Sequence, residues 1–449
     1  MENDRWLYSL AVSALASSVA GLLVPLYIVR LGGGAAQLGI SAAVSSLVGA
    51  PGAVLAGQYA DRTGNRRDVV LVALVASAFS LSVLPFLRTV PLVIAVNAVL
   101  AISVAAFGPV ATMLMVDGAP ESAWSARIAR LNGIQSYGAT LGFVVGTVWM
   151  LGVGTVLPTG STQESLFVVA ALFGLAGAVL AARWLPRRAS LDLGPRRSDR
   201  VAALLARTSR SVREATFSFG RARFFWAFRS LSGRRPRAIV REFPRPLVVY
   251  FVAAFLFFTG FGAFWAPLPL YLTDAKFGTG AVFGIYLVNN VGSTALFGTA
   301  GEYSDRHDAR LVQSGALGTR SGCFLAVGAL GVLGPRFLAG GGLEPLVAVA
   351  ALLAFVGGTW AFISVAGTAI VSRLAPARTR GGILGIYAAL SAVGGALGSL
   401  LGGWLAGRGF DLAFLVSALF VASGATVVLA ARRLSSTTAD RGTSARSVD

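Results

Sequence analysis

The chain has 449 residues, 55% of them hydrophobic and 13% charged, about half the charged share of an ordinary soluble domain. That composition excludes a soluble enzyme. Its 38 Lys+Arg against 19 Asp+Glu give a net charge of +19, a balance that would suggest nucleic acid in a soluble protein and that here has to be read by position.

Windows of about 19 residues mark twelve apolar segments, at 6–29, 37–60, 69–87, 91–116, 131–152, 165–182, 247–271, 280–301, 311–333, 346–371, 382–405 and 412–431. Each has close to the ~17 to 25 residues that a helix needs to cross a bilayer. The expected fold is all-α and integral to the membrane, with twelve transmembrane helices in two six-helix bundles. Residues 1–185 form the first bundle, 186–246 a basic cytoplasmic linker, 247–431 the second bundle and 432–449 a cytoplasmic tail. The first segment spans 24 residues without a clear small-x-small cleavage site, so it is expected to remain as a helix.

With the N-terminus inside, 32 basic residues fall in cytoplasmic loops and tails, and five fall outside: Arg30, Arg88, Lys276, Arg336 and Arg408. The positive-inside rule then places both termini in the cytoplasm. The expected location is the plasma membrane, and the expected partner of the charge is the anionic inner lipid surface rather than nucleic acid. The linker from Pro186 to Pro246 holds 16 arginines in 61 residues. Val201, Leu205, Thr208, Val212, Ala215, Phe219 and Trp226 recur in it at helical spacing, as in an amphipathic helix lying on the membrane surface; a charged tether is the alternative.

The halves repeat. A shift of 244 residues carries Pro25-Leu26-Tyr27 onto Pro269-Leu270-Tyr271 and Gly57-Gln58-Tyr59-Ala60-Asp61-Arg62 onto Gly301-Glu302-Tyr303-Ser304-Asp305-Arg306, with Arg66 on Arg310. A shift of 256 puts Gly138, Gly142 and Gly146 onto Gly394, Gly398 and Gly402. Both glycine ladders read as close-packing helix faces. Between the second and third segments, Gly57 to Arg67 follows the pattern G-x-x-x-D-R-x-G-x-R-R in full. Gly57 allows close helix approach, Asp61 can accept hydrogen bonds or pair with an arginine, Gly64 allows a tight turn, and Arg62, Arg66 and Arg67 hold the loop at the interface.

This loop resembles the signature loop of the major facilitator superfamily, and the six-plus-six layout extends the resemblance over essentially the whole chain. The resemblance implies a single-chain secondary transporter working by alternating access, with Gly57, Asp61, Arg62, Gly64, Arg66 and Arg67 as a conformational latch that contacts the other half. Asp117, with Glu121, is placed to pair with Arg62, Arg66 or Arg127. The second-half copy, Gly301, Asp305, Arg306 and Arg310, departs from the pattern, with His307 for Thr63 and Asp308 for Gly64. A full latch is therefore expected only in the first half, and His307 is expected to be a solvated turn residue.

A proton relay usually keeps a carboxylate or histidine inside the membrane. Here every acidic residue lies in a tail, a loop or a helix end. Drug/proton antiporters of the superfamily usually carry an arginine about where Asn97 stands and a Gly-Pro where Gly142-Phe143 stands, so conventional proton antiport is not supported. Arg320 is the one charge inside a span, read as paired structurally or opening a local water defect, with anion binding as the alternative. Substrate-cavity candidates are Asn97, Gln135, Tyr137, Trp265, Asn289, Asn290, Trp360 and Tyr387, each also able to serve as interhelical glue. Cys323, the lone cysteine, allows no intramolecular disulfide. No metal site, cofactor or catalytic constellation is expected, and the chain is read as a non-enzymatic monomer acting on a small organic solute. Export stands ahead of import; facilitated uptake of a sugar or organic anion, or a receptor that binds without transport, are the alternatives.

Overall fold

The computed structural model describes residues 5–116, 124–185, 244–333, 342–376 and 380–444. The first half contributes α1 (Trp6–Arg30), α2 (Ala35–Thr63), α3 (Arg66–Val83, extended by the 3-10 turn Leu84–Phe86), α4 (Val90–Val116), α5 (Trp124–Gly152) and α6 (Thr159–Trp184). The second contributes α7 (Arg245–Trp265, followed by a short helix Leu268–Asp274), α8 (Thr279–Arg306), α9 (Ala309–Leu333), α10 (Leu343–Leu374), α11 (Arg380–Ala406) and α12 (Phe410–Ser444). Among the described residues eleven helices are long and apolar enough to cross a membrane, and α9, which carries Arg320, is not among them. The proposed linker helix lies outside the described residues, and α12 runs on to Ser444, well into the segment expected as a tail.

Both halves use one packing scheme. In the first, α1 packs on α5 and α6, α2 on α4, and α3 on α4 and α6. In the second, α7 packs on α11 and α12, α8 on α10, and α9 on α10 and α12. The repeated Pro-Leu-Tyr shows why the copies converge. Buried Tyr27 donates to the Leu87 carbonyl at 2.8 Å at the end of the third helix and meets Phe167 of α6 edge-on at 5.3 Å. Tyr271 donates to Val327 O of α9 at 2.9 Å and meets Phe414 of α12 edge-on at 5.1 Å. A phenol buried in an apolar bundle needs such a partner, so each tyrosine fixes its helix against the third and sixth of its half. The prolines also explain one difference: α1 passes through Pro25, whereas the extra Pro267 removes a second backbone donor and divides the seventh helix.

The same register governs the turns after these helices. Gly32 has φ +83°, and Gly33 N–H donates to Ile28 O. At the equivalent place Lys276 has φ +64°, and Phe277 N–H donates to Leu272 O. Both close the helix with a left-handed residue, which costs a side-chain-bearing residue about 1–2 kcal/mol. Lys276→Gly is expected to raise the midpoint temperature of the detergent-purified protein by the equivalent of about 1 kcal/mol; a lower midpoint would show that the lysine side chain outweighs the strain.

The halves meet at the end of the molecule that carries the α1–α2 turn. Packing there joins α2 to α11, α5 to α8 and α1 to the short Leu268–Asp274 helix. Gly39 of α2 abuts Ser399 and Gly403 of α11, Gly403 abuts Ala35, Gly146 of α5 faces the Phe283 ring of α8, and Gly280 faces Leu151. All of these residues lie in the parts of their helices nearest that end. The α5–α8 seam continues from there to mid-membrane, where Asn290 of α8 donates to Thr140 Oγ1 of α5.

Candidate functional site

At the α2–α3 end, the loop from Gly57 to Arg67 takes a defined shape. Gly57 is buried in α2, and Asp61 and Arg62 lie in its last turn, with side chains outside the described residues. Gly64 caps the helix with φ +70° and donates to Ala60 O, so the glycine in the motif answers a backbone requirement. Arg66 is buried at the start of α3, and Arg67 Nη2 donates to Ala182 O at 2.5 Å. That carbonyl is in the last turn of α6, where a cation meets the negative helix end. Arg67 thus joins the loop to its own half. Arg127 Nη1 lies 3.5 Å from Met115 O, while Asp117 and Glu121 lie outside the described residues.

The second-half copy is built differently, as its departures from the motif require. Gly301 is buried in α8 and Arg306 exposed at its end, and the Asp305 side chain lies outside the described residues. The helix stops at His307 with φ −121°, in extended backbone that needs no glycine. His307 is exposed and stacks on Tyr303 at 4.0 Å. Asp308 Oδ1 then accepts from Arg310 N–H at 2.9 Å at the first turn of α9, a role glycine cannot fill.

The cavity candidates separate into two groups. Asn97 donates to Ser45 Oγ at 2.9 Å and Ser41 Oγ at 3.3 Å, joining α4 to α2, and Asn289 donates to Leu353 O at 2.8 Å, joining α8 to α10. Adjacent Asn290 points elsewhere and donates to Thr140 Oγ1 of α5 at 3.0 Å, a hydrogen bond between the halves. Gln135 is buried, and Tyr137 shares an exposed stripe of α5 with Leu141, Val144 and Val148. Trp265, Trp360 and Tyr387 come together in a continuous aromatic wall of the second half. Tyr387 stacks on Tyr250 at 6.0 Å and meets Phe258 at 5.9 Å; Phe258 meets Phe261, and Phe261 meets Trp360 at 6.2 Å. The wall continues through Phe324 to Phe264, Trp265 and Tyr286.

Behind this wall lies Arg320, 2% exposed. Its Nε donates to Thr359 Oγ1 at 3.0 Å, its Nη2 donates to Val356 O, and its guanidinium carbon lies 4.5 Å from the Phe261 ring centre and 5.6 Å from that of Trp360. The side chain points inward between α7 and α10, away from lipid.

A profile of the Major Facilitator Superfamily matches residues 7–361. The chain belongs to the Major Facilitator Superfamily. Solved structures of the superfamily share its fold at low identity. The nucleoside transporter NupG superposes with a TM-score of 0.69 and 13% identity, covering 95% of this chain and 100% of its own. The xylose transporter XylE from E. coli gives 0.60 and 14%, covering 94% of each chain, and the human organic anion transporter TETRAN gives 0.52 and 20%, covering 94% and 98%. No curated protein sequence matches the chain significantly.

Two parts of this superfamily member escape sequence reasoning. Gln313 of α9, fully buried, donates to Tyr250 OH at 2.9 Å and Ile363 O at 3.1 Å, so the ninth helix reaches the aromatic wall. The Gly39–Gly403 contact joins two halves that no local pattern relates. A crevice of about 660 Å³ lined by Leu296, Tyr303, Leu311, Phe355 and Phe362 lies within the second half, between α8, α9 and α10, and not between the halves.

Proposed function

We propose that this chain is a secondary-type transporter that moves a small organic solute by alternating access, as a monomer of twelve spans with both termini in the cytoplasm of the plasma membrane. The observation that carries the reading is the position of the contacts between the halves named above, which run from the α1–α2 end to mid-membrane at Asn290–Thr140. With the termini inside, the α1–α2 end faces out, and the reading places a cleft open to the cytoplasm between α1 and α4 of one half and α7 and α10 of the other. Two equivalent bundles held together at one end and apart at the other are the geometry that rocking about a central site requires. The solute would meet the aromatic wall of Trp265, Trp360 and Tyr387, with Asn290 at the seam between the halves.

Export is placed ahead of import. Facilitated uptake is the second reading, favoured by the scarcity of ionisable groups along the described spans, where a proton relay would need one; the solutes named for the similar folds include nucleosides and xylose. The Gly57–Arg67 loop is assigned as the latch of the opposite, outward-facing state, with Asp61 its acidic member. Asp61→Asn is expected to cut solute exchange in reconstituted vesicles at least tenfold while leaving the yield of folded protein near that of the parent. Unchanged exchange would remove Asp61 from the latch, and solute binding without exchange in the parent protein would favour a receptor.

A further inference from the structure

Arg320 presents an electrostatic problem that the transport reading leaves unsolved. It stands eleven residues into α9, about 16 Å along the helix at ~1.5 Å per residue, near the middle of the membrane. A cation there is costly unless paired. Among the described residues no carboxylate lies within ion-pair distance of it; Glu164, which pairs with Arg30 and Arg88, stands at the α1–α2 end. Of the five N–H donors of a guanidinium, two are taken, by Thr359 Oγ1 and Val356 O, which leaves three. The remaining contacts are the faces of Phe261 and Trp360, which attract a cation without cancelling its charge.

We propose that Arg320 supplies the positive potential by which the second half recognises an anionic group, so that the transported solute is a small organic anion. The inference rests on the transporter reading and names its substrate class. Three features support it. The charge is at the depth where transporters of this architecture hold their solutes. It is carried by one half only, because the equivalent position under the 244-residue repeat is Ala76, so the cleft is polarised toward the second half. The Trp360 ring beside the guanidinium is partly exposed and belongs to the aromatic wall, so an anion at its open face sits within about 8 to 10 Å of the charge, where an effective dielectric near 20 still gives an attraction worth tenfold or more in affinity. A solute with a ring beside its carboxylate or phosphate would use both the wall and the charge.

The test uses paired probes of matched shape, benzoate against benzamide, gluconate against glucose and uridine monophosphate against uridine, read by thermal shift of the full-length purified protein and by exchange in vesicles. At least one acidic member is expected to stabilise the protein tenfold more potently than its neutral counterpart. Arg320→Lys is expected to keep part of that preference and Arg320→Gln to abolish it. If a neutral member binds as well as its acid in the parent protein, the inference fails whatever the variants do, so it does not depend on Arg320→Gln folding. Acid preference retained in folded Arg320→Gln also overturns it. Exchange of neutral members alone would sink the anion assignment and leave the transporter reading standing. Arg320-dependent binding of an acid without exchange would do the reverse.

Discussion

Gly403→Leu is expected to hold the protein in the state open at the α1–α2 end. A Cβ on Gly403 would stand 2.5 Å from Ala35 O and 3.0 Å from Gly39 Cα, and both are backbone atoms of α2 in the opposite half. Backbone of a packed helix cannot move aside as a side-chain end can, and overpacking of this kind costs about 1–3 kcal/mol or more. Nothing inside either bundle relieves that clash, but separating the bundles does. A bias of about 1.4 kcal/mol is tenfold in a two-state equilibrium, so the population closed at this end is expected to fall by one to two orders of magnitude. The transport cycle should slow accordingly while the yield of folded protein stays near that of the parent. A variant that transports at the parental rate would show that this contact does not gate the cycle.

Gly398→Val, five residues before Gly403 on the same helix, is expected to act through folding instead. Its Cβ would fall on the backbone carbonyl of Thr259, and that of Gly402 on Ala263 O, both in α7 of the same half. Helices in lipid have no hydrophobic drive to pack and depend on such close approach, so the second bundle itself is loosened. We expect a loss of about 3 kcal/mol or more, read as a lower midpoint temperature and a collapse in yield, with no shift between conformations in whatever protein folds. A stable Gly398→Val protein with altered accessibility of the cleft would place this ladder on the moving surface instead.

The contrast shows what the sequence can and cannot reveal. The register that aligns Pro25-Leu26-Tyr27 with Pro269-Leu270-Tyr271 corresponds to a real equivalence, because each tyrosine donates to a carbonyl in or just after the third helix of its half and meets a phenylalanine of the sixth edge-on. Gly64 was legible because a left-handed cap leaves few other choices of residue. The two glycine ladders were legible as close-packing faces, but their partners were not: Gly138 and Gly142 rest on α1, whereas Gly146 faces α8 of the other half. Helical periodicity reports that a face is small; it does not carry the identity of the surface opposite. The asparagines show the same limit. Asn97, Asn289 and Asn290 look alike in sequence, yet the first two close hydrogen bonds within a half and the third bridges the halves. The depth of Arg320 followed from counting residues, while its orientation, inward to Thr359 and the faces of Phe261 and Trp360, depended on how α9 is turned against α10.

The central claim, that the halves rock about the cleft, is tested most directly by a distance across the end where they touch. Spin labels at Ala36 in the first turn of α2 and at Arg408 after α11, both exposed, can be placed in a Cys323→Ser background, since Cys323 is the sole native thiol. The parent protein is expected to show the short separation of the closed end, and Gly403→Leu a distribution displaced to longer distance. Identical short distributions in the two proteins, with Gly403→Leu folded, would contradict the account.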